Sequence, residues 1–294
     1  MKYRLTQTLS GRGTAPHQFA SALRGLALDG DGHLYAAGDS EIKVFDPDGS
    51  LLERWPTGRP AWAVAVDGEG HRSADRVWVG EEGQVEIFDR AGELADTWSD
   101  PGLGLVTAVG FTGGDVFLAD ASARWIHRYD RSGNLLNHIG DHHRKGGFHI
   151  PNGTVDFAVD GEGVLHVANP GMHRVERYAP SGELLGRFGR FDGVDPEGFP
   201  GCCNPTNVTV AGSSEAGDGR VIVSEKAGPR VKVYDLEGHL LSVVAEGRDF
   251  DPGAKNMDLV VDGEGRIYVA DTGRFRISVF SPVAETAPAG EVGA

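Results

Sequence analysis

The chain has only two cysteines in 294 residues, and they are adjacent: Cys202 and Cys203. A framework of structural disulfides is therefore excluded. No apolar run is long enough to cross a bilayer, and the opening MKYRLTQTLSGRG lacks the hydrophobic segment of a secretory signal. A cytoplasmic location and no membrane partner are the resulting expectations. Positive charge is scarce, with 28 Lys+Arg against 43 Asp+Glu and a net charge of −15. Such a surface repels phosphate backbones, so nucleic acid is excluded as a default partner. Helix signals are nearly absent, and no HExxH, GxSxG or phosphate-loop pattern occurs. The common zinc-protease, serine-hydrolase and nucleotide-binding readings thus have no local support.

What the chain has in abundance is repetition. GLALDGDGHLYAAG from Gly25, AVAVDGEGHRSADRVWVG from Ala63, DFAVDGEGVLHVAN from Asp156 and DLVVDGEGRIYVAD from Asp258 share one plan. Each is a short apolar run, a Gly-based polar turn and a second apolar run. A third run follows, as in KVFDPDG, HRYDRSG and KVYDLEG, and a fourth closes the unit, as in SLLERWP and ELLGRFG. Four short strands repeating every ~40–50 residues describe a β-propeller blade. The fold class expected is all-β, a six-bladed propeller with four-stranded blades. The last unit lacks a fourth strand, whereas KYRLTQTLSG at the start resembles an orphan one. Residues 2–9 are therefore expected to complete the last blade, which removes an open sheet edge. A single domain over 1–283 follows. Residues 284–294, rich in Ala, Pro and Gly, read as a disordered tail.

The units VVDGEGRIYVADTGRFRISVF and AVDGEGVLHVANPGMHRVERY resemble the NHL-repeat β-propellers, and the resemblance runs over almost the full chain. His173 and Arg174 stand at that family's characteristic His and Arg positions. The fifth unit departs from the pattern through an acidic insertion, SSEAGDG, and through GCCNPTN and SEKAGPRVKVY, which resemble a bacterial subgroup of such propellers. The resemblance implies a six-bladed ring but leaves function open. The wider fold includes metal-dependent lactonases, an amidating lyase, and protein-binding and RNA-binding modules.

Function is to be sought where the repeats disagree. In a propeller the loop leading into the innermost strand and the turn after the second strand emerge on one face, around the channel mouth. At the position four before the repeat Asp the six units carry Gly25, Ala63, Ala108, Asp156, Asn207 and Asp258. The last three are oxygen donors on consecutive blades. They suit a hard divalent cation such as Ca²⁺, with Zn²⁺ or Cu²⁺ as alternatives, or they hydrogen-bond backbone groups and channel waters. The second strands end at Gly38, Glu81, Asp120, Asn169, Glu225 and Asp271. An acid there usually accepts hydrogen bonds from the following turn. Glu225, with Lys226 beside it and Arg230 close behind, reads either as a general acid/base or as a blade-to-blade salt bridge.

His149 and Asn152, in FHIPNGT, lie beside Asp156, and His173 follows in the same blade's upper turn. His142 and His143 read as surface residues. Cys202 and Cys203 are open to four readings: a redox pair, a ligand for Cu or Zn, a vicinal disulfide stiffening the loop, or buried small side chains. The function expected is a metal-dependent hydrolase or lyase acting on a small polar or anionic molecule. Asp156, Asn207 and Asp258 would hold the cation and Glu225 or His173 would move protons. Lys226, Arg174, Arg230, His149 and Asn152 would bind the molecule. The alternative is a non-catalytic scaffold presenting the same face to a protein or peptide.

Overall fold

A computed structural model describes residues 1–68, 76–143, 146–212, 217–226 and 228–283. The expected tail 284–294 and residues 213–216 of the blade 5 insertion lie outside the described residues. The strands begin and end where the repeat dictates. In blades 1, 4 and 6 the hairpin between the first two strands is closed by an aspartate that accepts two backbone N–H groups. Asp160 Oδ1, for example, takes those of Glu162 and Val164. Gly163 completes the turn at φ +80°, a conformation that side chains resist. The same pair of bonds recurs at Asp29 and Asp262.

Six sheets of four antiparallel strands result. Blade 1 comprises Gly25–Leu28, Leu34–Gly38, Glu41–Phe45 and Leu51–Pro56. Blade 2 runs from Ala63–Asp67 to Leu94–Ser99, and blade 3 from Val106–Phe111 to Leu135–Ile139. Blade 4 runs from Asp156–Val159 to Leu184–Phe188, and blade 5 from Asn207–Ala211 to Leu240–Ala245. Blade 6 holds Leu259–Val261, Ile267–Asp271 and Arg276–Val283, and its outer strand is Lys2–Ser10. That N-terminal strand pairs in register Lys2 with Val283 and Ser10 with Arg276. The ring is thus closed by the first strand, as the orphan run at the start of the chain indicates.

Strand alternation puts apolar side chains on both faces of every blade, so the core is divided among the interfaces. Six buried clusters result, one per interface. Leu26 and Phe45 of blade 1, for instance, meet Tyr268 and Ile277 of blade 6. Phe19, Phe148, Phe199 and Phe250, from the loops leading into blades 1, 4, 5 and 6, are fully buried. Each such ring contributes roughly 1.5–3 kcal/mol and anchors its loop.

The lead-in loops are also tied by the residue ending the second strand. Asp120 accepts Gly104 N–H, Asn169 accepts His149 N–H and Asp271 accepts Asp251 N–H. Blade 1 has Gly38 there because a Cβ would lie 2.2 Å from the Ala22 carbonyl oxygen. Asp39 takes over the task, accepting the N–H groups of Ala20, Ser21 and Ala22.

Candidate functional site at the channel mouth

The six inner strands surround a channel with a cavity of about 360 Å³ in its body. Its lining is largely aliphatic, with Asp156 and Asp258 as the acidic members. A second cavity of about 230 Å³ opens on the lead-in-loop face. Asp258 and Asn207 line it together with Arg24, Trp62, Thr154 and Lys255. The sequence column Asp156, Asn207, Asp258 therefore converges at the junction of the two cavities. The strand register agrees: Asp156 pairs with Ala168 and Asn207 with Ser224, one residue before the end of each second strand.

Both acids first serve the ring. Asp156 Oδ2 accepts the Val208 N–H of blade 5 at 2.7 Å, and Asp258 Oδ2 accepts the Leu26 N–H of blade 1 at 2.6 Å. Thr107 does the same for blades 3 and 4, exchanging hydrogen bonds with the backbone of Val155. Burial, reinforced by the Asp258 charge, pushes the Asp156 carboxyl well above its usual range. Burial likewise raises Asp258 to about 7, against the N–H groups of Leu26 and Leu259. The Asn207 side chain favours the ionised form of Asp156, yet its own Oδ1 is buried with no hydrogen-bond partner. Two carboxyls that repel one another and an orphaned amide oxygen are an oxygen-only donor set that fits a hard cation. One lone pair on each bonded carboxylate oxygen is already committed to a backbone N–H.

The rim carries the opposite charge. The Arg24 guanidinium lies 4.2 Å over the Trp62 ring and donates to the Ala61 carbonyl. Burial lowers its pKa, partly offset by Asp39. Lys255 is exposed, and its backbone is clamped in both directions by Thr272 Oγ1. Asn152 reaches across from the loop of blade 4 to the loop of blade 6: its Nδ2 donates to Asn256 Oδ1, and Asn256 Nδ2 donates to the Asn152 carbonyl. This bridge spans the blade 5 side of the mouth. The rest of the lining comes mostly from the loops of blades 6, 1 and 2, with Thr107 of blade 3 and Thr154 of blade 4. Arg24, Trp62, Lys255, Asn256 and Thr272 were not singled out from sequence. Arg24 and Trp62 occupy the position just before Gly25 and Ala63.

The other expected residues lie elsewhere. Glu225 is fully buried, 2.7 Å from Arg230 and 2.6 Å from the equally buried Lys232. Lys232 in turn donates to the carbonyls of Pro196 and Gly198 in the lead-in loop. Arg174 is paired with Glu176, which also binds Tyr178 and His143, so His143 belongs to a buried network rather than the surface. His149 Nδ1 lies 3.2 Å from the Gly171 carbonyl, and the His173 ring contacts Phe191. Burial, then the His149 charge, lowers the His173 pKa. Lys226 sits with Cys202 and Cys203. None of these lines either channel cavity. Among the described residues, Asp29, Asp31 and His33 form an acidic group at the far end of a blade 1 strand, but Arg90 bridges both aspartates there.

An NHL repeat is matched over residues 258–280, the inner three strands of blade 6. The crystal structure of selenomethionine-substituted virginiamycin B lyase from Staphylococcus aureus is similar, with a TM-score of 0.59 at 13% identity, covering 96% of this chain and 100% of that one. At that identity the likeness is one of fold. No curated protein sequence matches the chain. The chain is thus an all-β, six-bladed propeller carrying an NHL repeat.

Proposed function

We propose that the protein binds a divalent cation, with Ca²⁺ favoured, together with a small polar or anionic molecule at the channel mouth, and that it acts on that molecule as a hydrolase or lyase. The observation that carries this reading is the buried, partnerless Oδ1 of Asn207 beside Asp156 and Asp258. Asp156, Asn207 and Asp258 would hold the cation, whose chemistry would be to polarise an oxygen of the bound molecule. With no sulfur or nitrogen donor among these three, Zn²⁺ and Cu²⁺ suit the site less well. Arg24 and Lys255 would hold an anionic group, with Trp62 as a wall. The Asn152–Asn256 bridge would restrict water on the blade 5 side. Glu225 and His173 lie off this cavity, and the reading gives them no proton transfer. The fold likeness to a lyase adds that such a ring accommodates lyase chemistry. The GCC and SEK motifs would mark a bacterial subgroup of the NHL-type propellers.

The test is elemental analysis of protein purified without chelator, followed by melting in Ca²⁺, Mn²⁺, Zn²⁺ and Cu²⁺. At a hundredfold excess over Kd a cation that binds only the folded ring stabilises it by about 2.7 kcal/mol. Asp258→Asn and Asp156→Asn should abolish the Ca²⁺ shift. Absence of metal, together with a melting temperature indifferent to all four cations, refutes the reading.

A further inference from the structure

The loop leading into blade 5 contains a second, chemically different group that the channel site does not use. Cys202 and Cys203 are both reduced, with their sulfurs 2.8 Å apart. They differ in access: Cys202 is exposed, whereas Cys203 is 3% exposed. The loop that carries them is held from both sides by one buried side chain. Asn204 Nδ2 donates to the carbonyls of Pro200 and Lys226, and Asn204 Oδ1 accepts the Lys226 N–H. That clamp holds Lys226 near the thiols, where its charge favours the thiolate form of both.

The surroundings choose between the chemistries open to such a pair. A structural Zn²⁺ takes four ligands, and among the described residues no group of three or more His, Cys, Asp or Glu side chains includes these sulfurs. Adjacent residues also hold their Cα atoms about 3.8 Å apart across a trans peptide, below the usual disulfide range. A bond between them is therefore strained, and strained, accessible disulfides are the readily reduced ones. Such a bond would be a poor staple and a good exchange partner.

We propose that Cys202 and Cys203 form a thiol–disulfide exchange centre: the exposed Cys202 sulfur attacks a small-molecule disulfide, and the buried Cys203 sulfur resolves the adduct. In the first step Cys202 thiolate bonds to one sulfur of the small disulfide. That S–S bond breaks, and one thiolate leaves and takes a proton from solvent. In the second, Cys203 gives its proton to solvent and attacks Cys202 Sγ, and the second small thiolate departs. Two protein thiols and one disulfide become one protein disulfide and two free thiols, a two-electron transfer out of the protein. The electrostatics divide the labour the same way. Cys202 is held below the ordinary thiol range by the hydrogen bond from Cys203 and, secondarily, the Lys226 charge. Cys203 is pushed above it by burial and then by its neighbour.

The experiment uses reduced, full-length protein and the aromatic disulfide 5,5′-dithiobis(2-nitrobenzoate). The expected result is two thionitrobenzoate ions released per chain, no adduct retained, a protein lighter by two hydrogens, and full reversal by dithiothreitol. Cys203→Ala should release one ion and keep one adduct. Lys226→Met should slow the first release several-fold, by removing a charge that favours the Cys202 thiolate. Two retained adducts on the native protein, no release before unfolding, or Cys202→Ser reacting as fast as the parent would each overturn the proposal.

Discussion

Lys232→Met tests whether the acid ending the second strand of blade 5 is structural. Lys232 is fully buried. Its ammonium pairs with Glu225 at 2.6 Å and donates to the carbonyls of Pro196 and Gly198, each at 2.8 Å. Methionine fills nearly the same volume, so the loss is electrostatic. Breaking a buried pair by removing one partner costs about 3–5 kcal/mol. Arg230 remains 2.7 Å from Glu225, which sets the expectation at the lower end, about 3 kcal/mol. For a chain of this size that is a drop in melting temperature of about 6 °C. Lys43→Met in blade 1 is an internal control. It removes the same device, a lysine bonded to Glu41 and the Pro16 carbonyl, but Glu41 is 23% exposed and can be hydrated. Its loss should be about half as large. Thermal unfolding by circular dichroism measures both. The double variant Glu225→Gln/Lys232→Met should recover part of the loss, since the orphaned charge is gone. A Lys232→Met loss below about 1 kcal/mol would refute the reasoning. So would a Glu225→Gln variant that keeps its stability yet loses Ca²⁺ binding.

Removing residues 1–10 should lower the melting temperature severely, because it uncovers Ile277, Val279 and Phe280, each worth about 1.5–3 kcal/mol when buried; unchanged melting of the truncated protein would contradict the ring closure. Gly38→Ala should cost about 2 kcal/mol in thermal unfolding, since the new methyl lands 2.2 Å from the Ala22 oxygen and 2.8 Å from the Phe19 ring. Burial alone would raise the Glu176 carboxyl, but hydrogen bonds from His143 and Tyr178 and the charges of His143 and Arg174 outweigh it and hold it at about 2. A depressed folded-state pKa contributes stability that is complete above about 4.5 and vanishes as the pH falls through about 2. The advantage of the parent over Glu176→Gln should therefore shrink across that window in urea titrations, and a constant difference would argue against the network.

The fold was legible because its signals repeat. Asp160 and its counterparts recur with Gly three residues on, and each such pair dictates the same hairpin. The orphan strand at residues 2–9 is legible because the last unit lacks a fourth strand, and the strand observed there is Lys2–Ser10. The polar clusters were less legible because each depends on two columns of the repeat at once. SEK in isolation reads as an acid between cations. Set beside the third strand, it shows a charge exchange: blade 4 pairs Asn169 with Glu176 two positions into that strand, whereas blade 5 pairs Glu225 with Lys232. A buried acid needs its countercharge within reach, so the two positions vary together in character. Asn152 shows the same limit at longer range, since its partner Asn256 lies 104 residues away and two blades round the ring.

The asymmetry of the mouth has a steric origin that a single column hides. Gly25 has no room for a side chain: a Cβ there would lie 3.0 Å from both Ala63 Cα and Val64 N. Blades 1 and 2 thus approach backbone to backbone at the inner wall, and the residues just before, Arg24 and Trp62, stack on one another over the opening instead. On blades 4 to 6 the inner position carries Asp156, Asn207 and Asp258, and two of these reach the next blade's backbone directly. On blades 1 and 2 the small inner residues go with a cationic and aromatic rim; on blades 4 to 6 the polar ones make an oxygen-rich floor. Asn207 is the member of that floor whose oxygen bonds to nothing in the ring, which is why the case for a ligand rests on it rather than on the two acids.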